Sequence, residues 1–265
     1  MPEKFDKETL ESELKKAGFC GGLFWFDECQ STNTEAARLL GGGAGAPFAA
    51  AARVQSAGRG RLSRKWVSEP ESSLCISFAL DLPDVPELLQ SFTVRAAIEI
   101  CDALEKIFGA KILIKWPNDI YSIGGKKIAG MLTELKIGAG GKKTAVLGIG
   151  VNCFPLKNAG EGFSDFAAPI GDLQSACERE ISAAKVAACL AIAAFKASRQ
   201  TSAEGARARF ARRDWLCGRE IQVDAGGEKL FGVASGIADT GELIIQCAGG
   251  EKKRVAALEA TVSKK

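Results

Sequence analysis

The sequence predicts an α+β fold: a mixed or antiparallel central sheet with flanking helices, followed by a small C-terminal β-barrel. Three observations predict it. Strand-like segments outnumber helical ones, yet both recur along the first 215 residues. From about Leu216 the texture changes to short strands punctuated by glycine-rich turns. A chain of 265 residues with 46% apolar content can bury one large core and a small satellite, which sets the expected division at residues 1–215 and 216–265.

Residues 3–17 are predicted as an amphipathic helix with Phe5, Leu10 and Leu14 on its apolar face and Gly18 as its stop. "GGLFWFDECQ" reads as a strand running into a helix, "STNTEAARLLGGG", where Thr32 and Glu35 have capping-box spacing and Gly41 suits the position after the helix. Ser31, Thr32 and Asn33 then sit at a helix N-terminus, where backbone N–H groups point outward. "APFAAAARVQ" and "SSLCISFAL" are strands on either side of the basic stretch "QSAGRGRLSRKW", residues 55–66. Leu88, Leu89, Phe92, Ala96, Ala97, Ile100, Leu104, Ile107 and Phe108 recur at helical spacing until Gly109. "KILIKW" is a strand closed by Pro117, and "DIYSIGGKKIAGMLTELKI" a hairpin turning at Gly124-Gly125. "KTAVLGIGVN" is a further strand, and much of 178–212 a second long helix. "REIQVD", "KLFGVASGIA", "ELIIQC" and "KKRVAAL" are the short strands of the barrel-like tail.

Composition excludes several kinds of chemistry. With no histidine, Ser-His-Asp triads, Cys-His dyads, HExxH zinc sites and imidazole acid–base catalysis are ruled out together. Nine cysteines without any C-x-x-C pair read as buried reduced thiols, and no metal site is expected. A net charge of +3 is too small for a general nucleic-acid binder, and one helix ahead of the first strand is too little for a DNA-reading helix-turn-helix. The N-terminus is charged throughout and no apolar run reaches the roughly 18 residues of a membrane span. A soluble, cytoplasmic protein is expected.

Four stretches can carry chemistry. In the basic loop, Arg59, Arg61, Arg64 and Lys65 surround Gly58 and Gly60 and end on Trp66; arginine forks suit phosphate or carboxylate, glycines let backbone approach an anion, and a solvated basic turn is the bland alternative. In "KWPND", Asn118 and Asp119 follow a strand and a proline, which is also ordinary turn chemistry. In "GGKKIAG", Lys127 beside Ile128 can point inward, whereas Lys126 suits the surface. In "GIGVN", Gly148 and Gly150 leave room for a ligand or another backbone, or simply for tight core packing, with Asn152 at the strand end. No GxxxxGK[ST] loop is present, so any nucleotide is held differently.

The order "STN", "QSAGRGR", "RKW", "KWPND", "KKIAGMLTEL", "GIGVN" resembles the catalytic domain of biotin–protein ligases from about residue 24 to 152, and the tail resembles that family's small C-terminal domain. The resemblance is to the short type without an N-terminal DNA-binding domain. It implies activation of biotin by ATP, with Mg²⁺, to biotinyl-5′-AMP and pyrophosphate, then transfer to a lysine of a biotin carboxyl carrier domain of a carboxylase. No DNA or membrane partner and a monomer or homodimer are expected. By matching position, Ser31, Thr32 and Gln55, with Asn33 nearby, should read the ureido ring, whose two N–H donors and one carbonyl suit hydroxyls plus an amide. Arg59, Gly60 and Gly130 should line the biotin side. Arg61 and Arg64 should face phosphate, Trp66 should order against the adenylate, and Asn118 and Asn152 should hold the nucleotide. Lys127 should contact the biotin carboxylate and α-phosphate, and Asp119 should orient the incoming amine or assist Mg²⁺. Ser63 stands where the family loop often has a third glycine.

Two other readings compete. A lipoate–protein ligase shares the adenylation logic, but an apolar dithiolane would leave Ser31, Thr32 and Gln55 unpaired, and such ligases typically carry a histidine beside the loop. A nucleic-acid-binding domain would need aromatics interleaved with the cations, and here only Trp66 accompanies them.

Overall fold

The computed structural model describes residues 6–157, 169–225, 228–257 and 260–264. Helix α1 spans Lys7–Lys16, capped by Asp6, whose side chain accepts from Thr9 N. It buries Leu10 and Leu14 as expected; Phe5 lies outside the described residues.

The chain then builds a seven-stranded sheet. Its strands are β1 (Gly22–Cys29), β2 (Phe48–Gln55), β3 (Ser73–Asp81), β4 (Ile112–Lys115), β5 (Asp119–Ser122), β6 (Lys127–Ile137) and β7 (Lys143–Asn152), in the order β1-β2-β3-β7-β6-β5-β4. β1 and β2 are parallel because helix α2 (Thr32–Gly41) crosses between them, and the remaining pairs are antiparallel. The predicted hairpin turns at Gly125, whose φ of 79° requires glycine.

The two faces of β3 read its sequence directly. Leu74, Ile76, Phe78 and Leu80 pack into the large core with α1, helix α3 (Pro86–Phe108) and helix α4 (Ala183–Ser198). On the opposite face, Ala36 of α2 packs with Phe48, Ala50, Ala79 and Val146. α3 begins with proline at its first turn and, as its sequence predicts, ends at Gly109, which is left-handed at φ 68°.

Three expectations are corrected. The residue capping α2 is Ser31, not Thr32, and the helix runs through Gly41 to Gly42, because the Thr32 hydroxyl is engaged by Gln55. The long helix expected over 178–212 is two, α4 and α5 (Ala206–Ala211), with a turn between them where Gln200 bonds Arg95 and Glu99 and Gly205 takes φ 77°. The tail is an open five-stranded antiparallel sheet rather than a closed barrel. Its strands β8 (Glu220–Ala225), β9 (Glu228–Ile237), β10 (Leu243–Gln246), β11 (Lys252–Val255) and β12 (Ala260–Lys264) run in the order β11-β10-β9-β8-β12. The fifth strand was not anticipated, and it occupies the edge opposite β11, so the sheet does not close.

This second sheet is docked on the first. Trp116 Nε1 donates to Gly241 O at 2.8 Å, and Asp239 accepts from Arg207 N. All nine cysteines are free thiols; Cys75, Cys101, Cys153 and Cys189 are buried, whereas Cys20 and Cys217 are exposed, so burial holds for only part of the set. No described helix is long and apolar enough to cross a membrane.

Candidate active site

One cavity of about 580 Å³ opens on the α2 face of the large sheet, within the range typical of small-molecule sites. Beneath it the sheet is bare of side chains. Gly148 and Gly150 on β7 share the face of Val146, and Gly130 on β6 lies opposite Gly150 in the ladder. Their bareness accommodates the protein's own side chains. A Cβ on Gly148 would meet Asn33 Oδ1 at 2.1 Å, and one on Gly150 would meet Trp66 Cε2 at 2.2 Å.

The polar end is built around the N-terminus of α2. Ser31 takes the extended cap conformation, yet its hydroxyl makes no capping bond; the residue lines the cavity. Gln55 Oε1, at the end of β2, accepts from Thr32 N at 2.8 Å and Thr32 Oγ1 at 3.1 Å. Ser77 Oγ stands 2.7 Å from both Thr32 Oγ1 and Asn33 Oδ1. Asn33 Nδ2 donates to Leu132 O at 3.2 Å and to Glu134 Oε2 at 3.1 Å. Asn33 is therefore satisfied within the protein at both ends of its amide.

The cationic wall is the basic loop folded back on itself. Trp66 N donates to Gly58 O and Gly60 N to Arg64 O, so that the backbones of Arg59 and Lys65 pair antiparallel. Gly58 is obligatory, since a Cβ there would lie 2.4 Å from Trp66 O. Leu62 and Ser63 both adopt positive φ, 53° and 60°, so the position of the missing third glycine is indeed one that favours glycine. Arg61 Nη1 donates to Asn118 Oδ1 at 3.3 Å, and its Nη2 donates to Ala257 O in the C-terminal sheet region. Burial pushes the Arg61 guanidinium below its ordinary pKa, opposed by Asp119.

Lys127 points inward, as expected, with Nζ 2.7 Å from Asp119 Oδ1 and 5.8 Å from the Trp66 ring centroid, while Lys126 is exposed. Asn118 Nδ2 donates to Met131 O. Ser31, Thr32, Asn33, Gln55, Arg59, Gly60, Arg61, Arg64, Trp66, Asn118, Asp119, Lys127 and Gly130 thus converge on one space. Asn152 does not: it is buried beyond the cavity, donating to Gly171 O at 3.0 Å. Two further neighbours had no role assigned from the sequence: Lys115, at the start of "KWPND" and held over the Tyr121 ring at 5.5 Å and the Trp215 ring at 5.7 Å, and Val262 of β12. Ser77 and Glu134 behind the wall were also missed, although a polar residue inside a buried strand was the available signal.

Fold and site together define the biotin and lipoate ligase architecture. The chain superimposes on the structure of a biotin protein ligase from Aquifex aeolicus in complex with biotin and ATP, with a TM-score of 0.74 at 24% identity over 92% of this chain and 99% of that one. Residues 25–152 match the model of the Biotin/lipoate A/B protein ligase family, and residues 216–259 that of the biotin protein ligase C terminal domain. A biotin--[acetyl-CoA-carboxylase] ligase of Paracoccus denitrificans is 32% identical over 231 residues, 84% of this chain and 93% of that protein. The chain belongs to the biotin protein ligases of this family. It spans only 46% of another relative, the bifunctional ligase/repressor BirA of Bacillus subtilis, with 34% identity over 152 residues.

Proposed function

We propose that the chain is an ATP-dependent biotin–protein ligase that forms biotinyl-5′-AMP and transfers biotin to a carrier-domain lysine. One observation carries the reading: a single cavity combines a hydroxyl-and-amide end, Ser31, Thr32 and Gln55, with a cationic wall of Arg59, Arg61, Arg64 and Lys127. The first suits a ureido ring and the second suits a carboxylate beside a triphosphate.

In the first step the biotin carboxylate attacks the α-phosphorus, an O–P bond forms, and the α–β P–O bond breaks to release pyrophosphate. Two anions must approach each other, so Lys127 and Arg61 offset the repulsion and stabilise charge as it develops. Trp66 covers the nucleotide side, and the loop shields the mixed anhydride from water. In the second step a neutral lysine amine attacks the acyl carbon, the C–N bond forms, AMP leaves, and the amine sheds a proton. Asp119, already paired with Lys127 at 2.7 Å, is the carboxylate in reach to orient that amine.

Mg²⁺ enters with ATP as part of the substrate. Among the described residues no cluster of three metal-ligating side chains exists, so phosphate and water oxygens would complete a shell that Asp119 assists. Asn118 and Lys115 face the nucleotide; for Asn152 the proposed role is indirect, bracing Gly171. Residues 1–215 would form the catalytic unit and 216–265 the C-terminal unit, working in the cytoplasm on a biotin carboxyl carrier domain, as monomer or homodimer, with neither DNA nor membrane as partner.

The test is to mix the protein with Mg-ATP and either biotin or lipoate, then follow pyrophosphate and acyl-adenylate by mass spectrometry. Biotinyl-AMP alone is expected. Product with lipoate alone would overturn the roles given to Ser31, Thr32 and Gln55, and no product from folded protein would reject the ligase reading.

A further inference from the structure

Glu134 lies on β6 outside the cavity lining, yet one of its oxygens joins two parts of the site. Oε2 accepts from Arg59 Nη2 of the basic loop at 3.2 Å and from Asn33 Nδ2 of α2 at 3.1 Å. From Asn33 the chain of bonds continues through Ser77 to Thr32 and on to Gln55. We propose that Glu134 is a positioning residue that couples seating of the biotin ureido ring to closure of the basic loop, an inference resting on the function proposed above.

The coupling depends on one proton. Ser77 has a single O–H and two acceptors at equal distance, Thr32 Oγ1 and Asn33 Oδ1, both 2.7 Å away. A ureido N–H donated to Thr32 Oγ1 makes that oxygen a poorer acceptor for Ser77 and shifts the Ser77 proton toward Asn33 Oδ1. The Asn33 amide, whose NH₂ already meets Leu132 O and Glu134 Oε2, is thereby polarised more strongly toward Glu134. The Asn33 side chain is confined by Gly148, where only a hydrogen atom leaves room for Oδ1. The Glu134 carboxylate is held by this buried donor and so presents a fixed acceptor to Arg59. An ion pair between two mobile side chains at the surface would contribute little, but a pre-oriented carboxylate tethers the loop where the adenylate must be retained.

The test compares wild type, Glu134→Gln, Glu134→Ala, Arg59→Ala and the double variant Arg59→Ala/Glu134→Gln. Measured quantities are biotin Kd by calorimetry, leakage of biotinyl-AMP by pulse-chase, and trypsin cleavage of the loop with and without biotin. Unfolding midpoints identify any variant that fails to fold, and the isosteric Glu134→Gln keeps the test available if Glu134→Ala does so. Loss of a hydrogen bond between charged partners corresponds to about a tenfold change or more. In Glu134→Gln, leakage should rise by about that factor, biotin should no longer protect the loop, and the maximal rate of pyrophosphate release should change less than leakage. The double variant should be no worse than Arg59→Ala alone. Folded Glu134→Gln with wild-type leakage and protection, or additive losses in the double variant, would overturn the coupling while leaving the ligase reading intact. A wild type that makes no biotinyl-AMP would sink both.

Discussion

Replacing Gly148 by alanine tests the construction of the polar pocket with a single methyl group. The added carbon would lie 2.1 Å from Asn33 Oδ1, whereas even weak C–H···O contacts sit at about 3.3–3.6 Å. The amide must retreat by about 1 Å or more, and Asn33, only 3% exposed, is held by Ser77, Leu132 O and Glu134. Each buried polar group left unpaired costs about 1–3 kcal/mol, and overpacking of a filled site costs a similar amount. A loss of about 2–4 kcal/mol in unfolding free energy is therefore expected. Thr32 is tied to Asn33 through Ser77, so biotin affinity should weaken by about 10- to 100-fold, at 1.4 kcal/mol per decade. Urea unfolding and calorimetric titration measure the two quantities. Adding Asn33→Ala removes the group that clashes, so the double variant should be less impaired than the sum of the singles. Wild-type stability and affinity in Gly148→Ala would refute the account of what that glycine is for.

The neighbouring Gly150→Ala pushes on Trp66 instead, at 2.2 Å; adenylate retention should fall while biotin affinity changes less, and the reverse ranking would contradict the division of the cavity. Lys127→Ala should slow adenylate formation by about 10²–10³-fold, the worth of a single charge-stabilising donor, and normal single-turnover rates would remove Lys127 from the chemistry. Arg61→Ala should raise adenylate leakage by cutting the loop's bonds to Asn118 and Ala257, readable by trapping free biotinyl-AMP. Glu99 provides a pH test. Burial pushes its carboxyl up, but hydrogen bonds from Arg209 and Lys196 outweigh burial and hold its folded pKa below the ordinary value. Its contribution is thus complete above the unfolded pKa of about 4.3 and lost as pH falls through the lower folded value. Glu99→Gln should cost roughly 1–3 kcal/mol at pH 7, with the gap to wild type narrowing in acid; an equal gap at pH 7 and below the folded pKa would be the contrary result.

What the sequence determined alone is what depends on near neighbours along the chain. Gly109 ends α3 and Gly125 turns the hairpin because left-handed backbone favours glycine. Lys127, the first residue of β6, enters the cavity, whereas Lys126, in the turn just before the strand, is exposed. The ordered motifs identified the ligase resemblance and nearly every cavity residue for the same reason, since each is a short stretch with its own local geometry. Tertiary structure decided which distant stretches share a face. Gly148 and Gly150 looked like room for a ligand, and the register of β3, β7 and β6 gives that room to Asn33 and Trp66. Asn152 ends the same strand but is drawn to Gly171. The tail stays open because β12 pairs with β8 at one edge while β11 remains at the other. Glu134 lies within the motif "KKIAGMLTEL", yet nothing local gives it a task; it acquires a role because folding brings it to Asn33 and Arg59, residues far away in sequence. Cross-strand register and domain docking are long-range choices made by burial of the whole core, and no local window of sequence contains them.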